Sequence, residues 1–298
     1  MRARECIICG AGPPFTALYR RGGYSLVRCE CGLVFQEPQP TPEVLSAAYY
    51  HDEGFAASLL GPLREQTLAN ARDKLELLRA GGHDLAGWRV LDVGASSGAW
   101  AEVASGAGAA SAVGVEIGEA TSASARERGL DVRTGTLEQV APDLGSTRFD
   151  LISFWDVLEH LHDPRRELAL ARGMLAPGGR IAATFPNVDG LYPQLTYRLF
   201  ARRTGVWEYP ELPVHLYDFA PGTARELFRG AGYEVEVVRT FAIPYGFYRT
   251  TTLAPERIGT GFRARLLRAA FSAVRLGAYP LARVSDRGNA MFVLAAAA

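Results

Sequence analysis

The stretch that decides the fold is Arg89-Val-Leu-Asp-Val-Gly94-Ala-Ser-Ser-Gly98. Its first five residues read as an apolar strand that carries one acid, Asp92, and a glycine loop follows directly. A helical run comes next, from about Ala99 to Ala109. A strand that passes through a glycine loop into a helix lets the loop backbone approach a ligand closely. The stretch therefore predicts a ligand site at the carboxyl end of this strand.

Downstream of the loop, strands and helices continue to alternate. The pattern predicts strands at Ser111–Glu116, Asp131–Arg133, Phe149–Phe154, Arg180–Phe185, Tyr233–Val238 and Asn289–Leu294, and helices at about Ala120–Arg128 and Pro164–Leu175. Upstream, two further helices are expected at about Glu43–Tyr50 and Pro62–Ala80. Alternation of this kind requires a mostly parallel sheet with helices on both faces. Ligands then bind at the carboxyl ends of the strands.

The composition indicates a globular protein with a small-molecule partner. The 298 residues carry 32 basic and 32 acidic side chains, and 48% are hydrophobic. A neutral chain lacks the basic footprint of a nucleic-acid-binding protein, so no nucleic acid is expected. No apolar run of about 18 residues is present, and the N-terminus does not read as a secretory signal. We therefore expect a cytoplasmic protein without a transmembrane segment, either a monomer or a homodimer.

All four cysteines of the chain lie near its N-terminus, at Cys6, Cys9, Cys29 and Cys31. Two close pairs separated by a short loop can place four thiolates around one tetrahedral Zn²⁺. Gly10 and Gly32 follow the pairs and allow the turns that point backbone amides at the sulfurs. Four thiolates leave no position for a water molecule, so a structural zinc ribbon over residues 1–40 is predicted rather than a catalytic metal.

The spacing of the glycine loop narrows the choice of ligand. The loop reads D-x-G-x-x-x-G, whereas dinucleotide sites favour G-x-G-x-x-G, and no Lys-Ser/Thr pair follows as in a P-loop. Glu116 closes the second strand, where a carboxylate can accept both hydroxyl groups of a ribose. Because NAD enzymes carry an acid at the same place, Glu116 alone does not exclude a dinucleotide-binding site.

Several motifs follow one another in a fixed order. They are Val90–Gly98, Glu116, Gly135-Thr-Leu-Glu138, Asp156-Val-Leu-Glu-His-Leu-His-Asp-Pro164, Leu175–Asn187 and His215-Leu-Tyr-Asp-Phe219. In this combination the chain resembles the class I S-adenosylmethionine-dependent methyltransferases. More narrowly, it is similar to a bacterial group with an N-terminal cysteine cluster and a core like that of the ubiquinone-pathway enzymes. The resemblance implies a Rossmann-like sheet of seven strands, the last returning antiparallel at the sheet edge.

The resemblance also implies how the cofactor, S-adenosylmethionine, is held. Asp92 and the backbone of Gly94 and Gly98 would bind its methionine end. Glu116 would bind the ribose. Ile117, Thr136 and Leu137 would border the adenine, and a hydroxyl or a backbone carbonyl would accept a hydrogen bond from the adenine amino group. Phe154 and Trp155 would line the sulfonium pocket, where an aromatic face suits a cation. Core packing is the alternative role for Trp155.

Histidines are the candidates for a general base. His160 follows the fourth strand, and His215 lies in a segment where substrate-binding insertions occur, so either can take a proton from a hydroxyl acceptor. The alternative for His160 is to cap or orient a helix. Asp156, Glu159 and His160 also stand at i, i+3 and i+4, and on a helix they would form one face able to bind a divalent cation. His51 is expected at the surface.

Two further segments complete the predicted organisation. Residues 187–215 are rich in tyrosine and arginine, and either form a lid that binds a ring or sugar with an anionic group or pack as a hydrophobic insertion. Residues 261–284 form an arginine-rich amphipathic helix, either a cover helix or a contact with an anionic membrane surface. The expected domains are the ribbon (1–40), a helical cover (41–85) and the methyltransferase domain (86–298).

The leading hypothesis from the sequence is O-methylation of a sugar or of a secondary-metabolite hydroxyl. Methylation at carbon or nitrogen is the first alternative. An NAD-dependent oxidoreductase or epimerase is the alternative of another class, and the glycine spacing disfavours it.

Overall fold

The structure is a computed structural model that describes residues 5–45, 63–243 and 259–298. The chain divides into two compact units. The glycine-loop unit consists of Thr41–Thr184, Phe228–Val237 and Leu294–Ala298, and the cysteine unit consists of Met1–Pro40, Phe185–Leu227 and Val238–Val293. The expected helix at Glu43–Tyr50 is seen as a helical turn at residues 42–45, while its remainder and His51 lie outside the described residues.

The strands of the described ranges are β1 (Thr16–Arg21), β2 (Tyr24–Arg28), β3 (Val34–Glu37), β4 (Arg89–Val93), β5 (Ser111–Glu116), β6 (Asp131–Thr134), β7 (Phe149–Trp155), β8 (Leu175–Pro186), β9 (Tyr217–Asp218), β10 (Tyr233–Phe241) and β11 (Ala290–Ala297). The helices are α1 (Arg64–Ala80), α2 (Ala99–Gly106), α3 (Glu119–Glu127), α4 (Leu137–Leu144), α5 (Pro164–Arg172), α6 (Leu191–Thr196), α7 (Pro221–Gly230) and α8 (Phe262–Val284). No helix in these ranges is both long and apolar enough to cross a membrane.

The predicted α/β fold with a seven-stranded sheet is confirmed. The strand order is β10-β11-β8-β7-β4-β5-β6, and the pairs from β8 through β6 are parallel. From β4 the chain moves outward to β5 and β6, then returns to β7 on the other side of β4. Since parallel crossovers are right-handed, this reversal places helices on both faces. It also makes the gap between β4 and β7 the topological switch point, where α/β proteins bind their ligands.

Two sequence predictions about the sheet were wrong. The last strand, β11, does not lie at the edge but between β8 and β10. Its first six residues are all buried, whereas β10, at the sheet edge, is half exposed. The helix expected to reach about Leu175 ends at Arg172 with Gly173 at its C-cap, and Leu175 is already the first residue of β8, where it pairs with Phe149.

Local sequence explains the helices that surround the glycine loop. Helix α1 buries Leu68, Ala71, Leu75 and Leu78 along one face and packs against α2. Helix α4 begins with a capping box, in which the backbone amide of Gln139 donates to the hydroxyl of Thr136 and the Thr136 amide donates back to the Gln139 side chain. The capping box fixes the start of α4, and the apolar face of α1 holds that helix against α2.

The cysteine unit contains an antiparallel sheet of order β1-β2-β3-β9. Gln36 and Glu37 end β3, and the Gln36 side chain is buried. One side of the core includes Tyr19, Leu26 and Trp207. Helix α6 continues through a π-helical turn, Tyr197–Ala201, and packs against α8. Buried between these elements, Arg275 of α8 is ion-paired with Glu208.

Candidate functional site

Asp92 lies at the topological switch point of the glycine-loop unit. It is on β4, directly opposite Ser153 of β7, and the Ser153 hydroxyl donates a 2.7 Å hydrogen bond to its carboxyl group. Burial raises the pKa of Asp92 to about 7. The Ser153 hydrogen bond and the positive charge of Lys74 lower this pKa, but burial outweighs them. A buried carboxyl group that titrates near neutral pH is typical of a functional site. A cation placed beside Asp92 would favour its ionised form.

The glycines of the loop are required by close approach. Gly94 and Gly98 both have φ of 77°, a region that side chains disfavour. A Cβ at Gly94 would stand 2.4 Å from Val157, and one at Gly98 would stand 2.7 Å from Leu130. The loop therefore runs tightly between β7 and the α3–β6 connection, with its backbone amides at the carboxyl edge of the sheet.

Glu116 holds this loop to the end of β5. Its two carboxylate oxygens accept 2.7 Å hydrogen bonds from the backbone amides of Ser96 and Gly118. The side chain is buried, whereas the next residue, Ile117, is 55% exposed although it is apolar. An acid and an exposed apolar side chain thus stand side by side where the sequence predicts ribose and adenine.

The remaining cofactor candidates lie at the start of α4 and at the end of β7. Thr136 is exposed but its hydroxyl caps α4, and Leu137 behind it is buried. Phe154 is fully buried within β7. Trp155 lies at the end of β7, where its ring packs edge-on against Trp100. The roles assigned to these four residues stay predictions.

Lys74 is a residue that the sequence analysis missed. Helix α1 places its ammonium 5.3 Å from the centre of the Trp155 ring and 3.4 Å from the Asp156 carboxylate. The available signal was its position on the helix, since Lys74 interrupts the apolar face formed by Ala71, Leu75 and Leu78. A cation therefore already contacts the aromatic ring proposed to face a sulfonium.

The proposed metal triplet does not form as predicted. Asp156 has φ of 58° and precedes a short 3-10 helix, Leu158–His160, so the helical spacing with Glu159 and His160 is absent. Its carboxylate accepts from Thr184 at 3.1 Å and from Lys74. Within the described residues, Asp156 belongs to no group of side chains close enough to share an ion. His160 is half-buried.

His215 belongs to the cysteine unit, just before β9. It is buried, and its Nε2 lies 3.6 Å from the carboxylate of Glu211. Asp218, three residues further on, is also buried, and burial raises its pKa to about 7 despite a hydrogen bond from Tyr209. The segment therefore gathers an imidazole and two carboxyl groups around one short strand.

The four cysteines converge as predicted. All four sulfurs lie within 4.8 Å of one another, with Cys6 and Cys31 at 3.5 Å and Cys9 and Cys29 at 3.5 Å, and none forms a disulfide. A zinc ion with Zn–S bonds of about 2.3 Å holds its sulfurs about 3.8 Å apart. Gly10 and Gly32 have φ of 74° and 95°. The donor set and its spacing fit a tetrahedral Zn²⁺.

Comparison with known proteins agrees with this geometry. The family model described as a methyltransferase domain matches residues 63–238, more than half of the chain. The ubiquinone biosynthesis O-methyltransferase of Pseudomonas aeruginosa strain LESB58 is 37% identical over 103 residues, which are 33% of this chain and 44% of that protein. The chain thus spans less than half the length of this curated relative.

Solved structures show the same fold at low identity. A SAM-dependent methyltransferase from Archaeoglobus fulgidus superposes with a TM-score of 0.53 at 17% identity, covering 82% of this chain and 99% of that one. The magnesium protoporphyrin IX methyltransferase of Synechocystis PCC 6803 with bound SAH gives 0.53 at 14% identity, covering 86% and 100%. These likenesses concern the fold.

Proposed function

The chain belongs to the methyltransferase domain family, with the class I fold, and from this premise we propose that it transfers the methyl group of S-adenosylmethionine to a small molecule. The observation that carries the proposal is the arrangement at the switch point, where Asp92, the Gly94–Gly98 loop and Glu116 meet. The family assignment also disfavours the NAD-dependent oxidoreductase that Glu116 alone left open.

The residues present suit this cofactor. Asp92 would accept a hydrogen bond from the amino group at the methionine end of the cofactor. Glu116 would accept hydrogen bonds from the ribose hydroxyls with the lone pairs that do not bind the amides of Ser96 and Gly118. Ile117 would pack on the adenine, with Thr136 and Leu137 beside it, and Trp155 would face the cationic end. When bound, the cofactor supplies an electrophilic methyl group. The chain would orient the acceptor and exclude water.

We propose a hydroxyl acceptor, and His215 as the group that takes its proton. The Pseudomonas relative is by name an O-methyltransferase, and the family resemblance extends to the His215–Phe219 motif. Glu211, 3.6 Å from His215, would stabilise the imidazolium that forms. His160 is the second candidate. A sugar or secondary metabolite remains the proposed acceptor class, with methylation at carbon or nitrogen as the alternative.

Calorimetry with S-adenosylhomocysteine and NAD tests the cofactor assignment directly. The wild-type chain is expected to bind S-adenosylhomocysteine and to give no heat with NAD. An Asp92→Asn variant should bind more weakly, because a neutral amide does not attract the ligand ammonium. Equal affinity in wild type and variant contradicts the role of Asp92, and binding of NAD contradicts the proposed activity.

The cysteine cluster is proposed as a structural zinc site. Its closed set of four thiolates leaves no position for substrate, so the metal would stabilise the β1–β3 segment rather than take part in the reaction. The division into a ribbon (1–40), a helical cover (41–85) and a methyltransferase domain (86–298) stays a proposal.

A further inference from the structure

A recess within the cysteine unit is used by none of the groups assigned so far. Its volume is about 290 Å³. Two aromatic residues line it, Tyr197 and Trp207, together with Arg28, Arg198 and Arg202. The lining contains no carboxylate. We call this feature the arginine recess.

The positive charge of the arginine recess is only partly balanced. Arg198 and Arg202 are exposed, stand four residues apart on one helical run, and form no ion pair within the described parts of the chain. Like charges at this spacing repel each other. Arg28 lies 3.6 Å from Asp189, beyond hydrogen-bond distance, and its buried Nε meets no acceptor among the described residues. An anion in the recess would relieve this imbalance.

The aromatic side of the recess is rigid. Trp207 is 1% exposed, and its indole nitrogen donates to the Pro193 carbonyl at 3.2 Å. The Tyr197 ring packs 4.8 Å from it, centre to centre, and the Tyr197 hydroxyl donates to the Leu18 carbonyl at 3.4 Å. Tyr197 and Arg198 also open a π-helical turn, a feature that occurs often at functional sites. A preformed aromatic wall beside guanidinium groups is a common design for small-molecule recognition.

We propose that the arginine recess binds the phosphate group of a small phosphorylated molecule, whose remaining part contacts the ring of Tyr197. Guanidinium groups pair with oxyanions through two parallel hydrogen bonds. Two arginines without an acidic partner suit a dianion such as a phosphate better than a singly charged carboxylate. The volume limits the ligand to a compact one, about the size of a sugar phosphate.

Titration calorimetry with phenyl phosphate, inorganic phosphate and benzoate tests this inference on the full chain. Phenyl phosphate is expected to bind most tightly and benzoate most weakly. Arg198→Gln and Arg202→Gln should each weaken phenyl phosphate binding by roughly tenfold or more, the loss of one charge-assisted hydrogen bond. Tyr197→Ala should weaken the binding of phenyl phosphate but not that of inorganic phosphate. Tyr197→Phe keeps the ring and is the conservative control for this variant.

The matched control is Arg203→Gln. Arg203 is exposed on the same turn but does not line the recess, so its replacement should leave binding unchanged. An equal loss of phenyl phosphate affinity in Arg203→Gln would show mere attraction to a basic surface. Tighter binding of benzoate than of phenyl phosphate would refute the phosphate assignment. Absence of binding by the folded wild type would refute the site. Binding of S-adenosylhomocysteine, measured on the same samples, reports separately on the proposed methyltransferase activity.

Discussion

Asp92 makes the stability of the ligand-free protein depend on pH. Its pKa is raised to about 7 in the folded chain, mainly by burial, from an ordinary value of 3.8. Between these two values the unfolded chain is ionised at this position and the folded chain keeps its proton. A carboxyl group with a raised pKa contributes stability that is complete below about pH 4 and is lost as the pH rises to about 7.

The size of the effect follows from the width of this interval. Each pH unit within it removes about 1.4 kcal/mol from the free energy of unfolding. Between about pH 5.5 and pH 8 the loss is therefore about 2 kcal/mol, most of it below pH 7, and at higher pH the contribution of Asp92 stays constant. Asp92→Asn cannot ionise, and its side-chain oxygen can still accept from the Ser153 hydroxyl. The variant should gain about 2 kcal/mol relative to wild type over the same interval.

Urea unfolding of the ligand-free protein at about pH 5.5, 7 and 8 measures this difference. Asp150→Asn is the matched control, because burial would raise the pKa of Asp150 but hydrogen bonds from Arg89 outweigh it and hold that pKa below the ordinary value. Its loss of stability should be the same at all three pH values. A wild-type to Asp92→Asn difference that does not change with pH would refute the argument that Asp92 is buried and protonated at the switch point.

Three further predictions concern the proposed sites. Glu116→Gln should weaken S-adenosylhomocysteine by about 1–3 kcal/mol in calorimetry, since one of its two acceptor oxygens is lost; unchanged affinity would argue against the ribose contact. Protein purified without added zinc should contain about one equivalent by elemental analysis, and Cys9→Ser should lose it and unfold at a lower temperature; four freely reactive thiols in the native chain would speak against the site. His215→Asn should reduce transfer of labelled methyl to a hydroxyl acceptor by about 10²–10⁴ while S-adenosylhomocysteine still binds, and the rise of activity with pH that reflects loss of the His215 proton should disappear; His162→Asn is the control, and near-normal turnover in His215→Asn would exclude this histidine as the base.

The parts of the fold that were predictable are those encoded by neighbouring residues. Strand β4, the glycine loop and the acid at the end of β5 each follow from spacing within a short stretch, as do the two cysteine pairs and their glycines. Their positions relative to one another then follow from the rules for parallel crossovers. The sequence is therefore sufficient to locate the carboxyl edge of the sheet.

The parts that were missed depend on contacts between distant residues. Lys74 reaches Asp156 across 82 positions, and the Ser153 hydroxyl meets Asp92 only because β7 adjoins β4. The position of β11 inside the sheet depends on which strand it joins, and periodicity does not report that choice. Asp156 shows the opposite failure, since its spacing from His160 suggested a helix where the backbone turns with positive φ.

The pairing of β3 with β9 has a consequence for synthesis on the ribosome. Val34 and Phe35 lie opposite Asp218 and Tyr217. The edge of β3 therefore stays unpaired until β9 has been synthesised roughly 180 residues later, which takes about 10–40 s at ordinary translation rates. During that time the backbone of β3 is an unpaired edge with two large apolar side chains, the kind of surface on which nascent chains associate. Early capture of a metal by the four thiolates, all made before β3, would order this sheet while it waits and limit its encounters with other chains.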